Sequence, residues 1–181
     1  MIVAEFGAPP RSVTATIPGA PVGQARGRAG AIYRKGPGGP VPVMTKTGRV
    51  IVNVHDPIKS RNWKATAQAH YAAALGDRSP LEGPIVVVVE SIFALPVSGY
   101  RKRDPRKREW NQGQKDVDNL AKAALDAANG VLWKDDREVA ILVSFKVTAA
   151  QDELPGVRVT ATEIRGQLSP AQTFALAQVS P

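Results

Sequence analysis

The chain has 181 residues, no cysteine, and 24 Lys+Arg against 16 Asp+Glu, a formal net charge of +8 with a pI near 10.0. This length fits one domain, and a composition 43% hydrophobic can bury a core. The absent cysteines exclude disulfides, Cys-ligated zinc and thiol catalysis, and the cationic surplus favours a polyanionic partner, most simply nucleic acid.

Taken in chain order, Met1–Glu5 has neither a basic segment nor a long apolar one, so no signal peptide is expected. Ser12–Ile17 alternates Val13, Ala15 and Ile17 with Ser and Thr before Pro18-Gly19, which predicts a short strand and a turn. Gly19–Pro42 is rich in Gly and Pro and reads as a loop carrying Arg26, Arg28, Arg34 and Lys35. No phosphate-cradling Gly-x-x-x-x-Gly-Lys-Ser/Thr occurs in the chain. Val41–Val54 predicts a hairpin turning at Lys46-Thr47-Gly48-Arg49. Asp56-Pro57 predicts a helix start, with Asp as N-cap and Pro at the first helical position. Trp63, Ala67, Tyr71 and Ala74 recur at helical spacing, and the helix should end near Gly76.

Ile85–Leu95 predicts a central strand, apolar on both faces. Its apolar run, Ile85–Val89, is too short to span a bilayer, so a soluble cytoplasmic protein is expected. Pro96–Gln114 is a basic, non-periodic loop. Asp118–Asn129 predicts an Ala/Leu helix closed by Gly130. Val139–Val147 alternates strictly and Gly156–Ile164 follows, giving two more strands. From Gly166 the pattern is weak, with a short helix expected near Pro170–Gln178. No repeat or dividing linker is visible. The order implies a single-domain α+β protein, a mixed β-sheet with two main helices packed on it.

Chemistry concentrates in Lys115–Asp136. Asp116 and Asp118 stand two apart on the approach to a helix, where period-2 alternation aims both carboxylates to one side. Lys122 follows Asp118 by four residues, one turn along the same face. The helix returns through Gly130 to Asp135-Asp136 ahead of the next strand. If that strand pairs near the one leading to Asp116, three or four carboxylates converge and need a cation. Hard oxygen ligands select Mg²⁺ or Mn²⁺, which serve phosphodiester hydrolysis. Lys122 would then orient the scissile phosphate. Simpler roles stay open: Asp118 as an N-cap, Lys122 as a partner of Asp118 or Asp126, Asp135-Asp136 as turn residues.

Asp116-Val117-Asp118-Asn119-Leu120-Ala121-Lys122, followed by Leu125–Gly130 and Val131-Leu132-Trp133-Lys134-Asp135-Asp136-Arg137-Glu138-Val139, resembles the RusA family of Holliday junction resolvases. Weaker likenesses are Gln24–Arg28 after Pro21, Lys59–Lys64 and Leu81–Pro84 before a strand. The likeness covers about Val13–Ile164, with residues 12–165 as the nuclease domain, 1–11 an irregular N-terminus and 166–181 a tail. It implies a RusA-like fold. It implies Asp116, Asp118 and Asp136 as Mg²⁺ (or Mn²⁺) ligands, Asp135 as the alternative in the pair, and Lys122 as an essential lysine. It further implies a homodimer resolving four-way DNA junctions in recombination and repair; two symmetric nicks call for a two-fold enzyme.

DNA contacts are expected from Arg101, Lys102, Arg103, Arg106, Lys107, Arg108 and Lys115 flanking the acids. Arg26, Arg28, Arg34 and Lys35 are a second candidate arm, and Lys59, Arg61 and Lys64 are further candidates. Trp110 suits base stacking or packing, Trp133 suits the core, and His55 and His70 lack ligand spacing. The competing readings are a non-catalytic nucleic-acid-binding protein such as a phage regulator, and a phosphohydrolase acting on small phosphate substrates.

Overall fold

The two ends of the patterned region close on each other. β1 (Ser12–Pro18) pairs antiparallel with β9 (Gly156–Glu163), Ser12 opposite Thr162 and Pro18 opposite Gly156. The molecule is seen as a computed structural model that describes residues 10–24, 28–113 and 115–164, without the side chains of Arg28, Val54 and His55. The tail helix expected near Pro170–Gln178 lies outside the described residues, as does Arg26.

β6 (Ile85–Phe93) is the middle strand of a five-stranded sheet in the order β1-β9-β6-β8-β7. It runs antiparallel to β9 and parallel to β8 (Val139–Thr148), so the sheet is mixed as the pattern predicted. β7 is only Glu109–Trp110 and pairs with the far end of β8, Glu109 opposite Thr148. A parallel neighbour requires a crossover, and α2 (Val117–Ala128) lies within it.

α1 (Ile58–Leu75) and α2 pack together on one face of the sheet. α1 buries Ala67, Tyr71 and Leu75; α2 buries Leu120 and five alanines, small enough to let the helix backbones lie close to the strands. They meet Val13, Ala15, Ile17, Ile85, Val87, Val89, Val157, Val159 and Ala161 in one core, joined by Leu132 and Trp133. Burying each Val, Leu or Ile side chain of this core stabilises the fold by about 1.5–3 kcal/mol. The Tyr71 hydroxyl donates to the Ala124 carbonyl at 3.3 Å, and burial pushes its phenol above the usual range.

Two expectations need correction. α1 starts one residue later, with Pro57 as N-cap and no side-chain capping bond. The Asp56 carboxylate accepts instead from Lys64 Nζ at 3.1 Å, since an ammonium is a stronger partner than a backbone N–H. The helix ends at Gly76 with φ +62°, as predicted.

Residues 28–55 are not a plain loop followed by a hairpin. β2 (Arg28–Ala31) pairs with β5 (Val52–His55), and β3 (Tyr33–Gly36) with β4 (Gly39–Pro42). The turn at residues 46–49 holds, with Thr45 N–H donating to the Arg49 carbonyl at 2.7 Å. Two-stranded ribbons leave each strand a free edge, where Pro40 and Pro42 need no N–H. No residue of this arm whose burial is described is buried. No described helix is long and apolar enough to cross a membrane.

Candidate active site

Asp116 is the N-cap of α2, in extended conformation at φ −71° and ψ 137°, and Asp118 lies in the first turn. Both are exposed, at the helix end where unpaired N–H groups favour anions. Asp116 accepts from Asn119 Nδ2 at 3.3 Å and makes no capping bond. Among the described residues Asp118 and Lys122 have no hydrogen-bonding or ion-pair partner. Lys122 is therefore not a structural partner of Asp118 or of Asp126, whose carboxylate takes Lys64 Nζ at 3.1 Å.

The approach to this helix is clamped from two sides. Gln24 N–H donates to the Asn119 carbonyl at 2.9 Å. Lys146 Nζ, on β8, donates to the carbonyls of Gly113 at 3.0 Å and Lys115 at 2.6 Å. Lys115 turns its ammonium inward, to the Pro21 carbonyl and over the Phe93 ring at 5.5 Å from the centroid. Burial lowers its pKa, with Lys59 adding to the effect.

Beyond α2, the indole of fully buried Trp133 donates from Nε1 to Asp136 Oδ1 at 3.0 Å. Asp135 has another task. Its carboxylate accepts from Arg137 N at 2.9 Å, Nε at 3.1 Å and Nη2 at 2.9 Å, closing a 3₁₀ turn over Asp136–Glu138. The Arg137 side chain, aided by its backbone N–H, holds the Asp135 pKa down at about 2. Asp136 has no ion-pair partner among the described residues, whereas Asp135 pairs with Arg137.

β8 does pair with the strand that leads to Asp116, but antiparallel and at its distal end. Asp136 stands before Val139, at the start of β8, whereas the Lys115 carbonyl is held by Lys146, seven residues on. Seven strand residues span about 23 Å, and the twelve residues of α2 about 18 Å. Asp116 and Asp118 thus occupy one end of α2 and Asp136 the other. Among the described residues no three His, Cys, Asp or Glu side chains come close enough to share an ion. One chain by itself does not assemble the three-carboxylate set.

Residues 18–162 match the family model described as "Endodeoxyribonuclease RusA". The chain belongs to the RusA endodeoxyribonuclease family. It is also similar to "Uncharacterized protein YqaN" of Bacillus subtilis (strain 168), 31% identical over 121 residues, 62% of this chain and 80% of that protein. The family match spans both helices and every acidic residue discussed here, so nuclease activity at the family level attaches to this arrangement.

The cations of this RusA-family chain divide into two sets. Arg106 pairs with Glu109 at 2.6 Å. Arg108 pairs with Glu153 and, at 2.6 Å, with Glu90, which also takes Arg158 at 2.7 Å. Lys64 bridges Asp56 and Asp126. These three cations are engaged in ion pairs within the chain. Lys59, Arg61, Arg101, Lys102, Arg103 and Lys107 are exposed and form no ion pair among the described residues. Trp110 is exposed and meets Phe145 edge-on at 6.0 Å. Lys46 and Arg49 on the arm are also exposed and form no ion pair among the described residues, and the sequence holds no acid between Glu5 and Asp56.

Proposed function

We propose that this chain is a Mg²⁺- (or Mn²⁺-) dependent endodeoxyribonuclease that resolves four-way DNA junctions by paired phosphodiester hydrolysis, in recombination and repair, as a homodimer. The observation that carries the reading is the trio Asp116, Asp118 and Lys122, exposed and without ion-pair partners on the first turns of a helix inside the RusA match. Exposed carboxylates with no ion pair contribute little to the fold, and with a divalent cation between them and a phosphodiester they suit its hydrolysis.

Lys122, one turn beyond Asp118, orients the scissile phosphate. Lys59, Arg61, Arg101, Lys102, Arg103 and Lys107 hold backbone phosphates on either side and release counterions. A divalent cation, when held by carboxylates, supplies water activation and charge neutralisation. Since, among the described residues, one chain brings Asp116 and Asp118 but not Asp136 to this end of α2, Asp136 reaches the set from a second copy. A two-fold pair of chains then presents two equivalent sites to the two strands that must be cut.

The test is incubation with labelled four-way junction and linear duplex, with and without Mg²⁺, beside Asp118→Asn. Cleavage should need metal, favour the junction and vanish in the variant, while junction binding stays. Full activity in Asp118→Asn refutes the assignment. No nicking with either metal leaves the non-catalytic nucleic-acid-binding reading, and hydrolysis of nucleotides alone leaves the small-substrate one. Mixing inactive Asp118→Asn and Asp136→Asn chains should restore about one quarter of wild-type nicking, because half of randomly re-paired dimers are mixed and each then carries one intact site.

A further inference from the structure

Residues 111–116 join β7 to α2 without regular secondary structure, and one residue of β8 supplies partners along this linker. Asn111 N–H donates to the Lys146 carbonyl at 3.1 Å, and Asn111 Nδ2 to Thr148 Oγ1 at 3.0 Å. Gly113 N–H turns back to Asn111 Oδ1 at 2.9 Å. Between there and the helix, the Lys146 ammonium takes the carbonyls of Gly113 and Lys115, at 3.0 and 2.6 Å. Strand register puts this lysine in place. Lys146 lies opposite Ser91 of β6, and Ser144 opposite Val89, which sits in the core under the helices. Residues two apart on a strand share a face, so the Lys146 side chain rises on the helix-bearing face of the sheet. Phe93 is on the same face, two residues beyond Ser91, and its ring receives the Lys115 ammonium at 5.5 Å from the centroid. The linker is thus held twice: Lys146 reaches up to it from the sheet, and Lys115 reaches down from it.

We propose that Lys146 is a positioning residue for the acids at the start of α2, acting through the Lys115–Asp116 peptide. The proposal rests on the nuclease reading above. The Lys115 carbonyl and the Asp116 N–H belong to one planar peptide unit. Fixing that carbonyl fixes the plane from which Asp116 starts, and only the torsions of Asp116 itself are left to aim its carboxylate. Asp116 makes no capping bond, and its carbonyl opens the helix by accepting from Leu120 N–H at 3.2 Å. The first turn, which carries Asp118, therefore inherits its direction from the bond that Lys146 makes one residue earlier. A lysine suits this task, because an ammonium on a flexible stem can donate to two carbonyls at once. A lysine that meets DNA keeps its ammonium free for phosphates, as exposed Lys59, Arg61 and Lys107 do. Lys146 is half-buried and spends two N–H donors inside the chain.

Lys146→Met keeps most of the stem and removes the donors, whereas Lys146→Arg offers donors again on a planar fork. In the metal-free protein, amide hydrogen exchange at Leu120, whose acceptor is the Asp116 carbonyl, should quicken about tenfold in Lys146→Met, return towards wild type in Lys146→Arg, and leave the amides of β6 unchanged. Losing a group that orients a metal ligand weakens metal binding by about 10–100-fold. The Mg²⁺ concentration for half-maximal junction cleavage should rise by about that factor in Lys146→Met and fall back in Lys146→Arg. Junction binding without metal should not change. These results together support the proposal. Unchanged exchange at Leu120, an unchanged metal requirement, or no recovery in Lys146→Arg overturns it. A loss of metal-free junction affinity in Lys146→Met also overturns it, since Lys146 would then be a phosphate contact. Should Lys146→Met fail to fold, Lys146→Gln, neutral and shorter, takes the same readings. No cleavage by the wild type with either metal refutes the nuclease reading, and exchange at Leu120 still decides whether Lys146 holds the segment.

Discussion

Replacing Trp133 with Phe separates the packing of the acidic turn from its chemistry. Trp133 is fully buried, and its Nε1–H donates to Asp136 Oδ1 at 3.0 Å. Shrinking the indole to a phenyl leaves a partial cavity costing about 1–2 kcal/mol. A hydrogen bond to a charged acceptor contributes roughly 1.5–3 kcal/mol, but Asp136 is exposed and water replaces the lost donor, so about 1 kcal/mol applies here. The sum, about 2–3 kcal/mol, corresponds to a fall in melting temperature of roughly 4–12 °C for a domain of this size. Urea denaturation should show a lower midpoint with an unchanged slope. Cleavage should fall as well, because the Asp136 carboxylate is no longer held. The companion variant Asp136→Asn keeps an oxygen to accept from Trp133, so its stability should stay within about 0.5 kcal/mol of wild type while cleavage is lost. A Trp133→Phe protein as stable as the wild type would refute the packing argument. Full cleavage by Asp136→Asn would remove Asp136 from the site.

Lys122→Met should abolish junction cleavage without moving the thermal midpoint, since Lys122 has no internal partner among the described residues; a large loss of stability would show that its role is structural. Arg108→Ala should destabilise by about 2 kcal/mol, less than the full loss of a buried pair because Arg158 still faces Glu90, and leave the salt dependence of DNA binding unchanged. Conversely, replacing Arg101, Lys102, Arg103 and Lys107 with Ala should leave stability alone and flatten the slope of log affinity against log salt by about 0.9 for each phosphate no longer neutralised, as binding titrations would show. The pH dependence follows from Asp135, whose pKa is held at about 2 by Arg137, against an ordinary 3.8. A depressed carboxylate stabilises fully above its unfolded pKa and loses that contribution as pH falls through the folded one. The stability gap between wild type and Asp135→Asn should therefore close between about pH 4 and pH 2 in melting experiments.

Much of this was legible in the residues themselves. Alternation at Ser12–Pro18 and Gly156–Glu163, the apolar run of Ile85–Val89 and the Ala-rich stretch before Gly130 each bury one face or both. Local periodicity is enough to identify such elements. The arm over residues 28–55 was hidden because Gly and Pro at free ribbon edges look, in sequence, like residues of a loop. Which cations face outward was also hidden: Lys64, Arg106 and Arg108 differ from Lys59, Arg61 and Lys107 only in the acids that folding brings beside them.

The sequence by itself determined an α+β domain, a helix that begins among acidic residues, and a cationic surplus. Those properties depend on neighbours a few positions apart. Whether Asp136 stands with Asp116 and Asp118 was decided only by tertiary structure. Strand direction is set by long-range pairing: β8 runs parallel to β6 and antiparallel to β7, which carries Asp136 to the opposite end of α2. The same pairing leaves residues 141–145 of β8 without a neighbouring strand on their outer side among the described residues, a feature no stretch of sequence displays.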